Sequence, residues 1–378
     1  AHHLFKTICS FAIVLSLTII HAEDYYKGDT LVKRGVYAFY NYEFDKAVDL
    51  LTEAREKFPE HPGVHLIWAA SRWVRSQANF PVEETYTILH NDLKEVRPVY
   101  DDLVERFGYD PNYKLYQGSA LGLSARVSLG KKQWLRTLYQ SYRGFIIIKN
   151  VAKESPGIKD AQLPIGIVEY FAGISSPLIS WAVRLYDLEA STESGINRIA
   201  IAADEGHWSW IEAKAILSNL YLWVENDPIL ALEHAKDLSS SFPDNFYFNL
   251  LYLESLVRTE DIYLSKIIIE DMENSLSNLT GRQLEWYLPY LDYERALLSF
   301  YQKDYGKALE QVNKTIDEYT AELDIVLGNA YLLQGMCYDR LDQRGNAKRS
   351  YKECIALDNF SGSVKAARGY LKQPFSGI

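Results

Sequence analysis

From residue 25 onward apolar side chains recur every three or four positions, and strict alternation is scarce. That periodicity predicts amphipathic helices rather than strands. Breakers punctuate the pattern at short intervals: Asn41-Tyr42, Pro59 to Gly63, Gly108, Asp110-Pro111, Gly130, Pro156-Gly157, Asp227-Pro228 and Pro243-Asp244. Gly, Pro, Asn and Asp at such places stop one helix and cap the next. The reading is an all-α chain of roughly fourteen to sixteen helices joined by tight turns. One longer helix is expected over 84–107, and a long hairpin over Tyr113–Ala152, turning at Leu129-Gly130-Lys131-Lys132.

A spacing recurs within this pattern. A small residue is followed twelve positions later by Ala, seven further by a second packing residue, and five beyond by a breaker. The first hairpin reads Gly35, Ala47, Ala54, Pro59, and the last reads Gly335, Ala347, Cys354, Asn359. A third is Ala296, Ala308, Thr315, Thr320; a fourth, Asn219, Ala231, Leu238, Pro243, lacks the first small residue. Two antiparallel helices approach closely only where both present Gly or Ala at the crossing. Large neighbours fill the wedge beside it, and proline resets the chain direction.

The segments 28–60, 212–245, 289–320 and 328–360 resemble tetratricopeptide repeats, helix–turn–helix units of about 34 residues. The last carries the likeness best, through Tyr331, Gly335, Tyr338, Ala347, Tyr351 and Leu357. Together the four cover about a third of the chain. The resemblance implies an α-solenoid of antiparallel hairpins, a right-handed superhelix whose concave face binds proteins or peptides. Segment 156–210, with Gly166, Gly173 and Pro177, does not follow the template and resembles the central insert of exported bacterial repeat proteins. The expected division is a leader at 1–22, an N-terminal repeat half at 23–155, a divergent connector at 156–210, and C-terminal repeats with a capping helix at 211–378.

The leader is read from Ile8–Ile20, an uncharged apolar run preceded by Lys6 and followed by Ala22 and then Glu23-Asp24. This is the layout of a secretory signal peptide cleaved after Ala22. Thirteen residues rise only about 20 Å as a helix, short of the hydrocarbon core. The expectation is therefore a protein exported to the periplasm or cell surface, with no membrane insertion after cleavage. Acidic residues outnumber basic ones by 50 to 40, for a net charge of −10. That balance argues against nucleic-acid binding, which needs a basic face. Three cysteines are too few for a disulfide scaffold; in an oxidising compartment Cys337 and Cys354 could pair, or lie buried as small apolar residues.

Candidate chemistry is sparse, and no cofactor is implied. His61 and His65 have the spacing of metal ligands on a helix, but Pro62-Gly63 lies between them and the neighbouring Glu of a zinc hydrolase is missing, so no metal site is expected. Gly118-Ser119-Ala120-Leu121-Gly122 lies in a helical pattern and reads as a close helix contact rather than a phosphate loop. Asp204, Glu205 and Glu212, beside Trp208 and Trp210, could support an alternative: a secreted all-α protein that binds or cleaves glycans. The leading expectation is a non-catalytic scaffold or adaptor. Its groove would be lined, one turn after each crossing, by Phe39, Tyr40, Trp223, Phe300, Tyr301 and Arg340, with the aromatics holding an extended peptide. Core packing is the competing reading for each aromatic.

Overall fold

The computed structural model describes residues 25–130, 134–174, 189–320 and 324–377. The expected leader at 1–22, the turn at Lys131-Lys132 and Pro177 lie outside the described residues. Every regular element among those described is helical, giving seventeen α-helices where the sequence suggested fourteen to sixteen. No described helix is long and apolar enough to cross a membrane.

The chain divides into two compact units, with the division between Ile216 and Leu217. In the first, α1 (Asp29–Tyr40) and α2 (Phe44–Lys57) form a hairpin, followed by α3 (Val64–Gln77) and the long α4 (Val82–Phe107). Helices α5 (Pro111–Gly130) and α6 (Trp134–Glu154) pair next, then α7 (Gln162–Ile174) with α8 (Thr192–Glu205). α9 (Trp210–Leu220) carries the division. The second unit continues through a π-helical turn, Tyr221–Glu225, to α10 (Pro228–Ser241), α11 (Phe246–Arg258), α12 (Ile262–Ser275) and α13 (Gly281–Tyr301). It then adds α14 (Tyr305–Glu318), α15 (Ile325–Arg340), α16 (Arg344–Ala356) and α17 (Gly362–Lys372).

The small-residue template marks real crossings. Ala47, Ala231, Ala296, Ala308 and Ala347 are fully buried, as is Ala54. A methyl group added at Gly35 would lie 2.6 Å from Leu51 Cγ, and one at Gly335 would run into the Tyr351 ring. Pro59 and Pro243 stand exposed just beyond α2 and α10, and each offers its carbonyl to the next helix. His65 Nε2 donates to Pro59 O at 2.7 Å, and Asn249 Nδ2 to Pro243 O at 2.8 Å.

The hairpin turns share a second device. Tyr42, Glu260, Lys303 and Asp342 each occupy the left-handed region between paired helices. An Asp then caps α10, α12 and α14, with Asp227, Asp261 and Asp304 accepting from the N–H three residues on. This reveals a fifth hairpin, α11–α12, that the sequence template missed. Ser265 takes the Ala position there and Leu253 the Gly position, both fully buried. Ser265 passes as a small residue because its hydroxyl donates to Asp261 O within its own helix.

In the divergent centre α7 and α8 pack directly against each other, on closer contact. α7 and α8 cross at Gly166 and Gly195: a methyl group on Gly166 would lie 2.8 Å from Gly195 O. α5 and α6 cross the same way at Gly118 and Gly144, so Gly118 is a packing residue as its helical context indicated. The sequence template failed in this region because its paired glycines stand 26 and 29 positions apart rather than twelve.

Candidate docking cleft

Most of the sequence-derived groove is core. Phe39, Tyr40, Trp223 and Phe300 are all under 9% exposed. Phe39 packs edge-on against Tyr40, Tyr40 donates its hydroxyl proton to Glu212, and Trp223 Nε1 donates to Glu254 at 2.9 Å. These four are therefore corrected from groove to packing residues: the turn after a crossing faces the neighbouring helix, where a large ring fills the wedge. Tyr301 is half-buried, and only Arg340 is exposed.

The glycan-site candidates are not gathered either. Asp204 and Glu205 are exposed at the end of α8, where Glu205 pairs with Lys159 at 3.4 Å. Glu212 is instead buried against Tyr40. Trp208 is buried because Asp160 Oδ1 accepts the N–H groups of Trp208 and Ser209, at 2.7 and 2.6 Å, and so fixes the chain entering α9. Trp210 is half-buried, with Lys214 over its ring.

The histidines are occupied structurally. His61 Nδ1 accepts from Gly63 N–H, so Nε2 carries the proton and donates to buried Asp29 at 2.7 Å. His65 accepts from Arg55 on one nitrogen and donates to Pro59 on the other, and burial pushes it down to about 4. Among the described residues no group of three or more metal-ligating side chains converges. Cys337 and Cys354 are both free and buried, which corrects the disulfide option. Burial pushes their thiols up to about 12 and about 11.

What the structure does assemble is a cleft of about 500 Å³ in the first unit, between α4, α5 and α6. Its floor is apolar and hydroxylic: Leu93, Val127, Ser124, Ser128 and Gln140 are all buried. Ser128 Oγ donates to Gln140 Oε1 at 2.7 Å, which holds α5 to α6. The rim carries Lys94, Arg97 and Arg136 against a single acid, Asp101, which is itself engaged by Gln117. None of the three cations is paired with a carboxylate among the described residues. Pro98 lies within α4 on the same wall, and a proline there cannot donate to the Lys94 carbonyl one turn back.

Sequence reasoning missed this cleft. Its cations come from helices some forty residues apart, and only Lys94 and Arg97, three apart on one helix face, hinted at it. In a chain of net charge −10, three unpaired cations around one hollow are a local reversal of sign.

No protein-family model and no curated protein matches the chain. Among solved structures, it is similar to the APC/C hetero-tetramer Cut9-Hcn1, with a TM-score of 0.52 and 14% identity. That match covers 91% of this chain and 55% of the other, so this chain spans about half that chain's length. A tetratricopeptide repeat protein from Parabacteroides merdae ATCC 43184 has 12% identity and a TM-score of 0.31, covering 91% of this chain and 97% of that one. The P58(IPK) TPR domain has 11% identity and a TM-score of 0.26, with 93% and 100% covered. With its antiparallel hairpins crossing at small residues and its likeness to Cut9-Hcn1, the chain has an all-α, solenoid-type fold of the tetratricopeptide-repeat kind.

Proposed function

We propose that this protein is a non-catalytic scaffold, exported after loss of residues 1–22, that docks an acidic segment of a partner protein in the α4–α6 cleft. The observation that carries the reading is the unpaired Lys94, Arg97 and Arg136 around an apolar and hydroxylic floor. Guanidinium groups bind carboxylates through two parallel N–H donors, and the buried floor takes the adjoining apolar part of the ligand. The cleft's volume suits a few side chains rather than a whole helix. Scaffold work needs no reacting groups, in keeping with Asp204 and Glu205 standing apart in solvent while Glu212 is buried on Tyr40.

A fluorescein-labelled Glu-rich peptide should bind the full chain, and its anisotropy signal should weaken as salt rises from about 0.05 to about 0.5 M. Lys94→Glu with Arg97→Glu should reduce affinity at least tenfold while leaving the circular dichroism spectrum unchanged, because neither side chain is in the core. Equal binding by the charge-reversed chain would remove the cleft from the reading. The export proposal is checked separately: Edman sequencing of chain recovered from the envelope should begin at Glu23.

A further inference from the structure

A second site lies in the other unit, and it is already filled by this chain. After α17 the backbone turns extended at Gln373, and residues 374–377 lie across α13, α15 and α17. Of that segment only Phe375 is buried, at 6% exposure; Pro374, Ser376 and Gly377 are exposed. The Phe375 ring sits 5.7 Å from Phe300 and 5.2 Å from Tyr370, edge-on to the latter. Its N–H donates to Asp339 Oδ2 at 2.8 Å, and one residue later Arg340 Nη1 donates to the Ser376 carbonyl at 2.5 Å.

The receiving side is built independently of the segment. The Asp339 side chain is 1% exposed and held by both a two-oxygen contact from Arg344 Nη1, at 3.0 Å each, and the Tyr351 hydroxyl at 2.8 Å. Arg344 also donates to the Tyr370 and Leu371 carbonyls, which fixes the end of α17 beside it. Arg340 stands over the Tyr305 ring. The result is an aromatic socket flanked by one side-chain acceptor, Asp339, and one side-chain donor, Arg340, both meeting main-chain atoms of the segment. One buried aromatic anchor, two backbone hydrogen bonds and an otherwise solvated strand is how an extended peptide ligand is held.

We propose that this socket is a docking site for an extended segment of a partner protein with an aromatic anchor, and that residues 373–377 occupy it as a tethered stand-in which the partner displaces. The hydrogen bonds read only main-chain atoms, so any sequence with an aromatic side chain at the Phe375 position and a free carbonyl one residue later meets the same contacts. Tethering gives the resident segment an effective concentration in the millimolar range, so it excludes weak competitors and yields to strong ones. The site stands on contacts separate from the cleft, and its test succeeds or fails independently of that reading.

The test uses the full chain and a labelled Gln-Pro-Phe-Ser-Gly peptide. Phe375→Ala should bind this peptide at least tenfold more tightly than the unaltered chain, and adding Arg340→Ala should weaken that binding. A peptide with Ala for Phe should not bind. Equal affinity for the unaltered and Phe375→Ala chains, or no binding to either, would overturn the proposal. A second measurement keeps the native packing: with 4-fluorophenylalanine at position 375, excess peptide should shift the ¹⁹F resonance toward that of the solvated side chain. A resonance that stays at its buried position would overturn the proposal equally.

Discussion

Gly195→Ala is expected to destabilise the protein by about 3 kcal/mol, seen as a lower urea midpoint for the first unit. The new methyl carbon would lie 2.5 Å from the Tyr170 backbone nitrogen and 2.6 Å from its Cα. Both are backbone atoms of α7, and Tyr170 itself is fully buried, so no flexible side-chain end can give way. The helices must separate, and the contacts along the Gly166–Gly195 crossing separate with them. Gly122→Ala is the matched control, because a methyl group there would meet nothing within 4 Å. In a helix interior that change should stabilise by about 0.5–1 kcal/mol through the unfolded chain. Equal effects at the two positions would contradict the close crossing.

Glu294→Gln is expected to stabilise the second unit at alkaline pH and to leave it nearly unchanged in mild acid. Glu294 on α13 is fully buried, and among the described residues no hydrogen-bond donor reaches either of its oxygens. The carboxylate of Glu254, on the facing α11, accepts from Trp223 Nε1, Tyr290 OH and Arg258. Arg258 is committed further to the Leu222 carbonyl and the Asn226 side chain around the π-helical turn. Burial first, and then the Glu254 charge, raise the Glu294 carboxyl well above the usual carboxylate range, outweighing the opposing pull of Arg258. Glu294 therefore keeps its proton in the folded chain at pH values where the unfolded chain loses it.

The sign follows directly. A carboxyl whose folded pKa is raised contributes its full stability below the unfolded value near pH 4.3, and that contribution drains as pH rises toward the folded value. Glutamine cannot ionise in either state, so the variant lacks this decline. At pH 8 the variant should be the more stable of the two, and at pH 4 nearly equal to the unaltered chain. Urea unfolding at both pH values, following the second unit, measures the difference. Parallel losses for the two proteins would show that Glu294 is ionised in the folded chain.

Much of this architecture was legible along the chain. Helical periodicity, the caps and breakers, and the small-residue spacing at Gly35/Ala47 and Gly335/Ala347 are local properties, fixed within a turn or a single hairpin. A methyl group or its absence at a crossing leaves a mark in sequence because helix separation depends directly on it. Ser265 escaped the same reading because a serine with a satisfied hydroxyl stands where the template has Ala, and the Gly166–Gly195 pair because its members are 29 positions apart rather than twelve.

The functional surfaces lay beyond that reach. A ring such as Phe300 serves equally well in a wedge between helices or in an open groove, and its sequence context is the same in both. Which applies depends on how neighbouring helices pack: Phe39, Tyr40 and Trp223 became core, while Phe300 became core that also receives Phe375. The α4–α6 cleft required three helices to bring Lys94, Arg97 and Arg136 around one hollow. Sequence thus determined the helices and the residues at which they touch, since both follow from short-range geometry. Only tertiary structure decided which side chains remain free to bind, because exposure is set by everything packed nearby and not by the residue itself.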